Sequence, residues 1–138
     1  MPQNSTADQV RNTLDRWLTA FNEKDADTLF SLYDPDTVYA NAGAARMEGV
    51  DGLKPWYEEV LKDSSLRVYF KEETLFDSED LALIAGKFHF RNHSADGSFT
   101  PGPAGRVAVL FRRSPDGQWK LAYDMDNTPP DVSAADFA

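Results

Sequence analysis

Residues 105–126 constrain the fold more than any other stretch of the chain. Arg106-Val-Ala-Val-Leu-Phe-Arg112 and Trp119-Lys-Leu-Ala-Tyr-Asp-Met125 are rich in β-branched and aromatic residues, and Ser114-Pro-Asp-Gly117 lies between them. Pro115 presets φ at the first corner of a turn and Gly117 can adopt positive φ, so the stretch predicts a β-hairpin. Strict alternation along the second strand puts Trp119, Leu121, Tyr123 and Met125 on one face. Lys120, Ala122, Asp124 and Asp126 then share the other. A sheet with one fully apolar face must be covered, and the N-terminal third supplies the cover.

That third reads as helical. Val10, Leu14, Trp17, Leu18 and Phe21 recur as one helix stripe, which predicts a helix from about Thr6 to Glu23, opened by a capping box of Thr6 and Gln9. Asp25 is a natural N-cap for a second, shorter helix that buries Leu29, Phe30, Leu32 and Tyr33. Asp34-Pro35 stops it, because the residue before proline is pushed out of the α region. Residues 37–40 predict a short strand and residues 41–47 a loop. Gly49-Val-Asp-Gly52 opens a third helix with Leu53, Trp56, Tyr57, Val60 and Leu61 on its apolar side, its regular part starting near Pro55.

From residue 66 the chain changes to strands. Residues 66–76 and 81–92 flank a turn at 77–80, a loop covers 93–103, and the hairpin follows. The order α-α-β-α-β-β-β-β predicts an α+β fold, with three N-terminal helices packed on a curved, mainly antiparallel sheet. Residues 1–138 read as a single domain, with 1–5 and 128–138 as irregular tails.

The totals exclude several functions. A net charge of −9 repels phosphate backbones and anionic lipid, so neither nucleic acid nor a membrane surface is an expected partner. The absence of cysteine removes disulfides, thiolate metal sites and cysteine nucleophiles, and it fits a reducing cytosol. The two histidines leave no expected zinc site, and no phosphate loop, nucleophile elbow or calcium loop is present. Met1-Pro-Gln-Asn-Ser-Thr6 lacks the features of a signal peptide, and the longest apolar run, residues 81–85, falls far short of the ~20 residues a membrane span needs. A cytoplasmic protein without metal or cofactor is the expectation.

Four segments resemble the nuclear transport factor 2-like superfamily, and within it the ketosteroid isomerase-like and SnoaL-like (polyketide cyclase-like) proteins. Ala20-Phe-Asn-Glu-Lys-Asp25 is similar to the family's helix–helix joint. Leu32-Tyr-Asp-Pro-Asp-Thr-Val38 is similar to its exit into the first strand, Gly49-Val-Asp-Gly52 with Trp56 to its third-helix start, and residues 111–126 to its last hairpin. The resemblance covers roughly residues 6–127. It implies a cone-shaped α+β barrel with a pocket between helices and sheet, and a homodimer formed through the outer sheet face. Activity follows less directly, because one fold hosts many chemistries.

Steroid isomerase chemistry does not carry over. Its carboxylate base, its helix tyrosine and its protonated acid fall on Ala40, Trp17 and Val109, none of which can do that work. A matching shifted by a residue or two brings Tyr39 or Asn41 into play. The resemblance also turns Asp124 and Asp126 toward the pocket, where a carboxylate pair would have one pKa raised and would suit proton transfer or a cation. The competing reading leaves both aspartates solvated at the rim or on the dimer face.

Asp124, Asp126 and Tyr39 are thus the candidate catalytic groups. Trp17, Phe21, Trp56, Tyr57, Phe88 and Phe90 are the candidate cavity wall, and equally what a filled core looks like. Asn41 offers a hydrogen bond. Arg106 either clamps a substrate carboxylate or forms a surface ion pair. With Phe88 and Phe90 inside, His89 faces outward. The expected function is binding of a largely apolar small molecule, with acid–base chemistry of the isomerase, cyclase or dehydratase type. The alternative is a non-catalytic dimeric binding or assembly module.

Overall fold

In the computed structural model, which describes residues 5–138, the chain runs through three helices and six strands. They are α1 (Thr6–Glu23), α2 (Ala26–Ser31), β1 (Tyr33–Tyr39), β2 (Met47–Glu48), α3 (Gly49–Val60), β3 (Leu66–Asp77), β4 (Leu81–His93), β5 (Phe99–Arg113) and β6 (Trp119–Asn127). A 3-10 turn (Ala134–Phe137) follows. The expectation for residues 1–4, a tail without a signal peptide, lies outside the described residues.

The helical stripe behaves as its period demands, and Val10, Leu14 and Phe21 are buried. The cap of α1 is Ser5, not Thr6: its Oγ accepts from the Asp8 N–H at 3.1 Å. Lys24 closes the helix in the left-handed region at φ 62°. Asp25 caps α2 as expected, accepting from the Thr28 N–H at 3.2 Å. The second helix ends at Ser31, so Tyr33 already belongs to β1. Pro35 lies inside that strand, where the register breaks between Tyr33 and Val38 and frees it from the ladder. Met47, expected at the end of a loop, and Glu48 pair with β1 as β2. The helix α3 starts at Gly49, which leaves Pro55 in its interior and removes a hydrogen bond to the turn before it.

The sheet order is β2-β1-β6-β5-β4-β3, parallel between β1 and β6 and antiparallel elsewhere. It is an α+β fold with β2 and β3 as open edges. The helices cover one face, over a core that includes Phe21, Leu29, Leu53, Ile84, Phe111 and Leu121. Polar stitches hold the two layers together. The Asn22 side chain bonds both sides of the Val68 backbone, donating at 3.0 Å and accepting at 2.8 Å. Trp119 Nε1 donates to Gln9 Oε1 at 3.0 Å.

Three features depart from the sequence reading. The first is that β5 begins at Phe99 and contains Pro101 and Pro103, where a loop was expected. Its pairing with β6 ends at Arg106, opposite Asn127, so the segment before it pairs with β4 alone. An edge segment tolerates prolines.

The second is a bulge in β6. Leu110 pairs with Tyr123 but Phe111 pairs with Leu121, which leaves Ala122 as an extra residue. A one-residue insertion reverses the facing of every side chain beyond it. Trp119 and Leu121 are therefore buried beneath the helices, Asp124 and Asp126 also turn inward, and Met125 is 47% exposed. The two-face alternation expected for this strand is replaced by a crossover at Ala122.

The third is the C-terminal segment, which is docked instead of frayed. Asp136 pairs with Lys87 at 3.0 Å, Asp131 with Arg106 at 3.1 Å, and Arg91 donates to the Phe137 carbonyl at 2.8 Å. The Phe137 ring lies 5.4 Å from the ring of His89, which is fully buried on the outer sheet face. Cations projecting from β3, β4 and β5 meet an acidic tail, and the charge match holds it down. Among the described residues, no helix is long and apolar enough to cross a membrane.

Candidate functional site

Between the helices and the inner sheet face lies a cavity of about 400 Å³. Each element contributes to its wall through the face its periodicity turns inward. Trp17 and Phe21 come from α1, Trp56 and Tyr57 from α3, and Phe88 and Phe90 from β4. The rings form a continuous surface. Trp17 stacks on Phe21 at 5.4 Å, Phe21 meets Phe90 edge-on at 6.0 Å, and Phe90 meets Phe88 at 5.7 Å. On the other side Tyr57 lies 6.0 Å from Tyr39, which lies 6.2 Å from Trp56.

The polar groups converge on β6. Asp124 is paired in register with Val109 of β5 on one side and Tyr39 of β1 on the other. It is only 7% exposed, and its Oδ1 has no hydrogen-bond partner. Burial pushes its carboxyl up to about 7; the Asn41 side chain beside it opposes the rise and the charge of Asp126 adds to it. Asp126, two residues on and less buried, accepts from the Ala42 N–H at 2.7 Å, and burial raises its pKa as well. Asn41 Oδ1 is buried and also unpartnered.

Tyrosines complete the set. Tyr33 Oη accepts from Trp17 Nε1 at 2.9 Å. Burial pushes the Tyr33, Tyr39 and Tyr57 phenols above their ordinary range, so they stay protonated donors at neutral pH. The site thus holds a carboxyl able to exist in both protonation states near pH 7, flanked by neutral donors in an apolar chamber. Among the described residues, no group of three or more His, Asp or Glu side chains is placed to hold a metal ion.

All but one of the residues singled out from the sequence line this cavity. The exception is Arg106. It projects from the outer face, where it bonds Glu73 at 2.8 Å and Asp131 at 3.1 Å, so it is an ion-pair residue and not a clamp in the cavity. His89 is likewise on the outer face. The sequence reading missed Val107, which the alternation of β5 would have supplied, and Thr128, which no local pattern marks. It left Tyr33 as a core residue, without its bond to Trp17.

The model of the SnoaL-like domain matches residues 14–122. The chain belongs to the SnoaL-like family. This places it in the nuclear transport factor 2-like superfamily, and solved structures share the fold throughout. A ketosteroid isomerase-like protein from Erwinia carotovora atroseptica is 23% identical with a TM-score of 0.74, over 90% of this chain and 96% of that one. A candidate dehydratase from Streptomyces avermitilis is 19% identical with a TM-score of 0.74, over 90% and 96%. A candidate aromatic ring hydroxylase from Novosphingobium aromaticivorans is 18% identical with a TM-score of 0.76, over 95% of each chain. No curated protein matches the chain. At these identities the likeness carries the fold, while the chemistry of this SnoaL-like chain has to come from its own cavity.

Proposed function

We propose that this SnoaL-like protein binds a largely apolar small molecule and moves a proton on it, as an isomerase, cyclase or dehydratase does, with Asp124 as the acid–base group. The observation that carries this reading is the buried Asp124 carboxyl, its Oδ1 unpartnered in an aromatic-walled cavity. As carboxylate it takes a proton from a carbon next to a carbonyl. As the acid so formed it returns the proton to another carbon, or to a departing hydroxyl. A pKa near the working pH suits both halves of the cycle. Tyr39, beside it in register, supplies a neutral O–H toward the oxygen on which charge builds. A neighbour described as a candidate dehydratase is in keeping with this class.

The test is proton exchange, which needs no knowledge of the natural substrate. A bicyclic ketone such as 2-tetralone, followed by NMR in D2O, should exchange its activated C–H protons faster with the protein than with buffer. Asp124→Asn should return the rate to the buffer level, a loss of about 10²–10⁴-fold for a general base. Equal rates for wild type and variant would overturn the assignment. Self-association through the outer sheet face belongs to the same proposal, supported by the exposed Phe76, Leu81 and Met125.

A further inference from the structure

The polar atoms of the cavity are out of balance. Asp124 Oδ1 and Asn41 Oδ1 are both buried acceptors without a donor, and Asp126 adds a second carboxylate that one backbone N–H satisfies only in part. No lysine, arginine or histidine is among the residues that line the cavity. The nearest arginines on β5 are committed elsewhere: Arg106 to Glu73 and Asp131 on the outer face, Arg112 to Asp34. A buried acceptor left unmatched is costly, and an unmatched carboxylate more so.

We infer that the occupant of this cavity is a hydrophobic amine, its ammonium set against Asp126 and Asn41, within the field of Asp124, and its ring body against the aromatic wall. An ammonium brings several N–H donors and no acceptor, which is the complement of what these three side chains present. Its charge also answers that of the carboxylates, and the rings of Tyr39 and Trp56 line the same cavity, where an aromatic face receives a cation. The net charge of −9 steers cations toward the protein and anions away from it. An acidic ligand would set its carboxylate against two others in a low-dielectric chamber, and no cationic side chain in the lining compensates for that.

This inference rests on the reading of the cavity as the ligand site and specifies the ligand's charge. Three probes of one shape test it: 2-aminotetralin, 2-tetralol and tetralin-2-carboxylate, titrated against the full chain by calorimetry at pH 7.5. The amine should bind about tenfold or more tightly than the alcohol, and the carboxylate should not bind measurably. Asp126→Asn and Asp124→Asn should each cut the amine's advantage over the alcohol, with far-UV circular dichroism showing that the variants are folded. Alcohol and amine binding equally to wild type, or an amine preference that survives both substitutions, would overturn the inference while leaving the cavity as a ligand site. Failure of all three probes to bind would overturn it together with the reading on which it rests.

Discussion

At the scale of single residues, Asp124 concentrates the conflict between stability and chemistry. Its carboxyl is held at about 7 in the folded chain against an ordinary 3.8, so the folded state keeps a proton that the unfolded chain has lost. The stability this group contributes is whole below pH 3.8, falls as pH rises between those values, and is flat above pH 7. The penalty on the ionised form comes to at most about 4 kcal/mol. Asp124→Asn removes the charge and keeps the shape. Urea unfolding at a series of pH values should therefore show the variant more stable than wild type at pH 8, with the gap closing by pH 4. A gap that is constant with pH would mean that the carboxyl titrates normally and is not desolvated. Protein stability surrendered at one position in this way is in keeping with the role proposed for Asp124.

At the scale of elements, what was legible in the sequence followed periodicity, and what was not followed from irregularity. The stripe of α1, the Asp25 cap and the two strands of the last hairpin all rest on patterns that local physics enforces. The bulge at Ala122 rests on none, because which strand carries an extra residue is settled by its partner. Alternation alone would set Leu121 and Asp124 on opposite faces, yet both face the cavity. Prolines 101 and 103 misled for a related reason: they exclude a central strand but not an edge, and where β6 stops cannot be read locally.

The C-terminal segment is the third such case, since its anchors are cations 25 to 65 residues away in sequence. A chain ending at Thr128 should lose roughly 2 kcal/mol of stability, from the burial of Val132 and the partial burial of Phe137. His89 offers the specific readout. Burial now holds its pKa below the ordinary 6.5, so in the shortened chain its imidazole resonance should titrate closer to that value. An unmoved His89 titration would show that the segment does not seal this face.

At the scale of the molecule, the two sides of the sheet divide the work. The inner side holds the cavity. The outer side is covered by the C-terminal segment at one end and left apolar at the other, where Leu83, Leu110 and Tyr123 form a cross-strand row near the exposed Phe76, Leu81 and Met125. Two copies meeting through this row would form an isologous contact, in which any substitution appears twice about the axis. Each copy carries a net charge of −9, so association works against mutual repulsion and should tighten when salt is added. Leu110→Glu sets two carboxylates across the axis in a contact that would otherwise be dry. Sedimentation velocity should show a dimer for wild type and a monomer for the variant. Because residue 110 faces away from the cavity, 2-tetralone exchange should be unchanged in the variant. A wild-type chain that stays monomeric at high salt and high concentration would remove the dimer, and a variant that loses exchange along with the dimer would show that the cavity depends on the second copy.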